Sequence, residues 1–222
     1  MTFIKKGDKR IGNLIIMPNR PLILLGGGGH CKSVIDVAES AGYTILGILD
    51  TPELVGTKVL DYEIIGADDD IPQYVDKAEF LITVGQIKSP AIRKKLAALV
   101  ELAGGKFATI IANDAYVSKY ATIGAGTVVM HKAVVNADAC IGEHCIINTM
   151  ANIEHEVQIG GFCHVSTGVM VNGNCKIPEG MFIGSQSVVN NGLNLCECKA
   201  LCVWGVIPSL SRVYKNILNK EE

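Results

Sequence analysis

From Val117 onward an aliphatic residue stands at every sixth position: Val117, Ile123, Val129, Val135, Ile141, Ile147, Ile153, Ile159, Val165, Val171, Ile177, Ile183, Val189 and Leu195. No member is missing and nothing is inserted. Four residues after each comes a second, mostly small, set that includes Ala121, Thr127, Ala133, Cys145, Cys163 and Cys175. A period of six fits neither an amphipathic helix nor a simple alternating strand. It fits a short strand and a turn, repeated, with each aliphatic residue pointing inward onto its counterpart in the next coil. Three units close a triangle, so residues eighteen apart stack at roughly the inter-strand spacing of about 4.8 Å. Residues 117–200 then make between four and five coils. β-Branched residues suit the strands, and the Gly that follows the aliphatic residue in Ile123-Gly124, Ile159-Gly160 and Ile183-Gly184 suits turns that need positive φ.

Before the repeat the grammar changes. Leu22–Leu25 reads as a buried strand, followed at once by Gly26-Gly27-Gly28-Gly29-His30 and then by a helix over 33–42 with Val34, Ile35, Val37 and Ala38 on one side. Residues 44–49 read as a second strand ending at Asp50, residues 79–84 as a third ending in Gly85-Gln86, and residues 90–103 as a further helix. Strands alternating with helices predict a small parallel sheet. A glycine turn between strand and helix lets backbone amides approach an anion, and an acid ending the second strand is where ribose-binding acids sit. The G-x-G-x-x-G pattern is incomplete, because counting from Gly26 its third glycine place holds Cys31. Three readings of the turn stay open: a dinucleotide site, a site for another nucleotide-linked ligand, or a structural tight turn.

Composition narrows the partners. A net charge of −2 gives no basic footprint for nucleic acid. The apolar run 21–29 is far too short to span a bilayer, and residues 1–20 lack the apolar core and cleavage site of a signal peptide, so a cytoplasmic protein is expected. The eight cysteines contain no C-x-x-C pair, the closest spacing being Cys196-x-Cys198, so no metal site is expected. Cys145 and Cys163 should stack one coil apart. Reduced small core residues are expected there, although the spacing would permit a disulfide.

The sharpest motif is the run Asn148-Thr149-Met150-Ala151-Asn152-Ile153-Glu154-His155-Glu156, continued by Ile159-Gly160, His164-Val165-Ser166 and Gly173-Asn174. Together with the strand-glycine-His turn, this resembles the nucleotide-amino-sugar N-acetyltransferases of the bacillosamine and perosamine type and the related sialic-acid-pathway O-acetyltransferases. The resemblance runs from Pro21 to about Pro208. It implies a small Rossmann-like parallel sheet followed by a left-handed parallel β-helix; the hand is taken from the resemblance, against the usual right-handed crossover. The domains it implies are a leader of unassigned role (1–20), a nucleotide-sugar-binding domain (21–107), an acyltransferase β-helix (108–208) and a tail (209–222). It further implies acetyl-CoA as co-substrate, no metal, a nucleotide-linked amino sugar of the 4-amino-4,6-dideoxyhexose type as acceptor, a role in surface glycan synthesis, and a homotrimer whose sites are shared by two chains. By the same resemblance His155 is the general base and Glu156 orients it. Gly173, His164, Ile183 and Gly184 lie on the acetyl-CoA and oxyanion side, with His164 also lining the acceptor pocket. His30, Gly28, Asp50, Gly85, Gln86 and Asn148 hold the acceptor. The family's G-x-P-A-K ending is replaced by Trp204-Gly205-Val206-Ile207-Pro208-Ser209, and Asn194–Cys202 is rich in cysteine.

The coil count supports one of these roles independently. Gly173 follows His155 by eighteen residues, which puts a bare backbone next to an imidazole. Imidazole titrates near pH 7 and suits proton removal from an attacking amine, and a neighbouring amide suits a developing oxyanion. His131 and His144 lack such context and read as surface residues. Three further readings remain: an O-acetyltransferase acting on sialic acid or another hydroxyl, a non-enzymatic β-helix scaffold, and a zinc enzyme like the γ-carbonic anhydrases. The spacings between His131, His144, His155 and His164 do not match the last.

Overall fold

The computed structural model describes residues 3–4, 20–195, 206–207 and 212–213. The described chain divides into two compact units. One comprises residues 20–85 and 91–113; the other comprises strand β1 (Phe3–Ile4), residues 86–90 and the residues from 114 onward.

The first unit is built on strand β2 (Leu22–Leu25), every residue of which is buried. Helix α1 (Gly29–Ser40) follows it directly and buries Cys31, Val34, Ile35, Val37 and Ala38. With β3 (Ile45–Asp50), β4 (Lys58–Val59), β5 (Tyr62–Ala67) and β6 (Glu79–Ile82) the sheet order is β4-β5-β3-β2-β6. All neighbours are parallel except the β4–β5 hairpin. Helix α2 (Ala91–Leu102) buries Arg93, Leu96, Ala97 and Val100. The chain leaves β2 for β3 on one side and β6 on the other, so the carboxyl end of β2 is a topological switch point, the usual crevice for a ligand in such sheets.

Two expectations change here. Helix α1 starts at Gly29 rather than Ser33, because the chain turns straight from β2 into the helix. The sequence reading has no element between Asp50 and Glu79, yet β4 and β5 lie there. On β5 only Ile64 and Gly66 are buried, so the run shows little apolar alternation.

The second unit is a left-handed parallel β-helix with three faces. Two-residue strands pair in parallel with strands eighteen positions away, as in Asn152↔Met170, Gln158↔Lys176 and His164↔Phe182. The inward column is buried at every position from Ile123 to Leu195. The second column is equally closed, with Ala133, Ala139, Cys145, Ala151, Val157, Val169 and Cys175 fully inaccessible. Strand β1 pairs antiparallel with residues 122–124 and covers one edge of the first coil.

The turn chemistry differs from the expectation. The residues with positive φ are those three places after the inward aliphatic one: Gly126, Lys132, Asp138, His144 and so on every sixth residue to Gly192. Most carry side chains, Glu156 (φ 62°) among them. The glycines directly after the aliphatic residue serve close coil stacking instead. A Cβ on Gly142 would lie 2.5 Å from Gly161 N and 2.7 Å from Gly160 C.

The interior cysteines are reduced. Cys145 donates its thiol hydrogen to Gly160 C=O (3.2 Å), Cys163 to Pro178 C=O (3.0 Å) and Cys175 to Asn190 C=O (3.0 Å). Thr127 donates its hydroxyl to Gly142 C=O (2.8 Å) in the same way. A small donor at this corner satisfies a carbonyl that would otherwise face the apolar interior. Cys196, Cys198, the leader 5–19, most of the atypical last coil and the tail lie outside the described residues.

Candidate active site

In the β-helix unit, His155 stands at the corner between strands 152–153 and 158–159. Its Nδ1 lies 3.0 Å from Glu156 Oε2, and both side chains are 58% exposed. A carboxylate can only accept, so Nδ1 carries the proton and Nε2 keeps its lone pair. The left-handed backbone of Glu156 is shared by the corner position of every described coil, so it reflects the repeat rather than strain stored at this site.

One coil on, Gly173 meets the imidazole as the eighteen-residue count requires. A Cβ built on Gly173 would lie 2.7 Å from His155 Nε2 and 2.6 Å from its Cε1. The same Cβ would lie 3.0 Å from Asn191 Oδ1. Asn191 belongs to this corner, and the sequence reading missed it, although adding eighteen to Gly173 reaches it. The column therefore runs imidazole, bare backbone, carboxamide. Beside it, Glu154 is held by two amides, Asn136 Nδ2 (2.9 Å) and Asn152 Nδ2 (2.9 Å).

A second cluster lies on another face of the same unit. His164 is 7% exposed. Its Nδ1 donates to Gln86 C=O (2.6 Å) and its Nε2 accepts from Asn148 Nδ2 (3.0 Å). Asn148 Oδ1 accepts from Thr149 N–H (2.8 Å), which fixes the amide's orientation. Gln86 Nε2 donates to Phe162 C=O (2.8 Å) and Gly180 C=O (3.1 Å). These bonds set the His164 tautomer and leave neither ring nitrogen for a base role. Phe182 meets the ring edge-on at 5.2 Å. Ile183 and Gly184 lie on this face, not with His155. The Ile183 side chain is fully buried and its carbonyl accepts Ser166 N–H, so that side chain is unavailable to a ligand. One chain thus does not bring His155 together with His164, Asn148 and Gln86: His155 stands at the corner between strands 152–153 and 158–159, and the cluster lies on the face of strands 146–147 and 164–165.

The other two histidines are not bare surface residues. His144 is 3% exposed and stacks on Phe162 with centroids 4.7 Å apart. His131 pairs with Asp114 Oδ1 at 2.7 Å and is half-buried, and this bond lowers the Asp114 pKa.

In the sheet unit, the expected residues gather at the switch point. Gly26 has φ +104°, and a Cβ there would strike Val84, so this glycine is structural. Thr83 Oγ1 donates to Gly26 C=O (2.6 Å). Asp50 Oδ2 accepts Gly27 N–H (2.5 Å) and its Oδ1 accepts Thr51 N–H (2.7 Å). The ribose acid of the sequence reading therefore also braces the turn, with acceptor capacity remaining on its carboxylate. Gly28 and Gly29 differ: nothing lies within 4 Å of a Cβ on either. They open helix α1, whose N-terminus has no side-chain cap and no acid in its first turn. His30 follows, its Cβ 3.6 Å from where a Gly85 Cβ would stand. Among the described residues no group of three or more His, Cys, Asp or Glu is arranged to hold a metal ion, and no helix is long and apolar enough to cross a membrane.

A coiled hexapeptide scaffold that sets a histidine beside a bare glycine matches the hexapeptide-repeat acyltransferases that the motif resembles. Comparisons with known proteins agree. The family described as the PglD N-terminal domain matches residues 21–100. The acetyltransferase domain of PglB from Neisseria gonorrhoeae FA1090 is 31% identical, with a TM-score of 0.71 over 78% of this chain and 84% of that one. The same domain in complex with acetyl coenzyme A matches at 31% identity and a TM-score of 0.72, over 79% and 84%. A histidine-to-asparagine mutant of perosamine N-acetyltransferase from Caulobacter crescentus, in complex with CoA and GDP-perosamine, matches at 25% identity and a TM-score of 0.62, over 88% and 94%. No curated protein sequence matches the chain. The chain belongs to the sugar N-acetyltransferases of the hexapeptide-repeat, β-helix type.

Proposed function

We propose that this protein transfers the acetyl group of acetyl-CoA to the amino group of a nucleotide-linked 4-amino-4,6-dideoxyhexose, with His155 as general base. The observation that carries the reading is the His155 imidazole, its Nδ1 on Glu156 and its Nε2 over Gly173. Nε2 takes the proton from the attacking amine. Glu156 stabilises the imidazolium that forms. The Gly173 N–H donates to the oxygen of the thioester carbonyl as negative charge grows there. No covalent enzyme intermediate is needed, because the thioester is already activated. Donor and acceptor classes follow those of the related proteins, which were solved with acetyl coenzyme A or with CoA and GDP-perosamine.

The sheet unit suits the nucleotide. Gly28 and Gly29 give a ligand room to approach the uncapped start of α1, whose amides and dipole favour phosphate. Asp50 accepts from the ribose. Asn148 and Gln86 contribute to the acceptor pocket on the domain 108–208 side, and His164 holds both in place. Because one chain separates this cluster from His155, we take the working unit to be a homotrimer in which neighbouring chains complete each site. The exposed Tyr116 and Met170 on one face of the β-helix support such an interface. The protein then acts in the cytoplasm on precursors of surface glycans.

The test is a panel of UDP-, dTDP- and GDP-linked amino sugars beside free amino sugars, assayed for CoA release with the wild type and His155→Ala. Turnover on a nucleotide-linked 4-amino sugar, reduced at least a hundredfold in a folded, trimeric His155→Ala, is expected. Near-normal turnover in that variant would remove His155 from the mechanism.

A further inference from the structure

Asn191 stands one coil beyond Gly173, at the far end of the column that begins with His155. A Cβ on Gly173 would meet both neighbours, His155 Nε2 at 2.7 Å and Asn191 Oδ1 at 3.0 Å. The slot left by the missing side chain is therefore walled by two acceptor atoms. They lie no farther apart than those two distances laid end to end. Asn191 is exposed, and its side chain makes no hydrogen bond within the described chain. Nothing in the fold requires a carboxamide here, since the corresponding place three coils earlier is Ala137.

Resting on the assignment of His155 as base, the geometry points to Asn191 as a positioning residue for the thioester-bearing arm of acetyl-CoA. The amine nitrogen must reach Nε2, so imidazole and acceptor fill the His155 side of the slot. The carbonyl oxygen is directed to Gly173 N–H. The sulphur and its arm are left with the other side, over Asn191. The arm's first hydrogen-bonding group is the amide N–H two carbons from sulphur. Asn191 Oδ1 accepts that hydrogen and anchors the arm, while the Gly173 N–H itself places the carbonyl. The acyl transfer itself is unchanged: the C–S bond breaks, the C–N bond forms, and the amine proton leaves through His155.

The test compares Asn191→Leu and Asn191→Asp in the full-length protein, each first checked for wild-type melting and assembly. Leu keeps the bulk but cannot accept; Asp keeps an acceptor in the same place. Losing one such bond raises KM for acetyl-CoA by about tenfold in Asn191→Leu. The kcat at saturating acetyl-CoA and its pH profile stay put, and Asn191→Asp restores KM to within about threefold. A second arm uses the thioacetate of N-acetylcysteamine, which retains the amide N–H, and S-ethyl thioacetate, which lacks it. Asn191→Leu lowers kcat/KM for the first and not for the second. An unchanged KM in Asn191→Leu, or equal losses in Leu and Asp, overturns the proposal. His155→Ala, run in parallel, tests the base separately: if it stays active, the assignment on which this inference rests has failed instead.

Discussion

Adding one methyl group at Gly173 should cost activity and little stability. Gly173 does not have positive φ, so its backbone accepts alanine. The new methyl would lie 2.7 Å from His155 Nε2 and 3.0 Å from Asn191 Oδ1. Both atoms end exposed side chains, which can swing aside at small cost. To restore ordinary contact near 3.4 Å with its nearest atom, Cε1 at 2.6 Å, the imidazole must retreat by about 0.8 Å. Displacements near 1 Å at a reacting centre cost about a hundredfold, and the methyl also occupies the space intended for the acyl carbon. The expected outcome for Gly173→Ala is a kcat/KM lowered by about a hundredfold with a melting temperature within ~2 °C of wild type. Gly142→Ala is the counterpart. Its methyl meets backbone, 2.5 Å from Gly161 N, which cannot swing, so overpacking destabilises that variant by about 1–3 kcal/mol. Steady-state kinetics and thermal melting on both variants give the answer. A Gly173→Ala enzyme that keeps wild-type kcat/KM, or that melts as early as Gly142→Ala, refutes the account of the column.

Two other outcomes follow from buried groups. His164→Leu removes the partner of Gln86 C=O and of the Asn148 amide, so thermal melting should register a loss of about 2 kcal/mol, or roughly 4–8 °C. Thiol labelling should be selective in the native protein. Burial pushes the Cys31 thiol up to about 11 and raises Cys175, while the neighbouring Cys145 sulphur and burial together raise Cys163. The reactive thiolate is therefore scarce in all three at pH 8. Among the described cysteines, iodoacetamide mass spectrometry should find half-buried Cys140 modified first. Native labelling of Cys163 as fast as Cys140 would contradict this.

What the chain reveals on inspection depends on how many neighbours a position must satisfy. The inward column is legible because each member touches the coil before and the coil after, and only aliphatic residues fit. The alignment of His155 with Gly173 is legible for the same reason, since the coil length is constant. The corner positions are not legible. Lys132, Met150, Phe162 and Gln186 all take the left-handed conformation there, so the fold imposes it on residue types that local preference would not select. Asn191 was hidden by its ordinariness, being one of several asparagines near the end of the repeat. The His164 clamp was hidden because Gln86 is remote in sequence from the coils it bonds to, and β5 because most of its apolar surface is only partly covered.

A solenoid that simply stopped would leave a final rung of bare amides and carbonyls, ready to be lengthened by another molecule. On one face at the start of this coil the chain does not leave that invitation open. Phe3–Ile4 runs against the first rung in the opposite direction. A newcomer meets a ribbon whose direction breaks the winding, and on that face the spiral cannot be continued from molecule to molecule into a fibre.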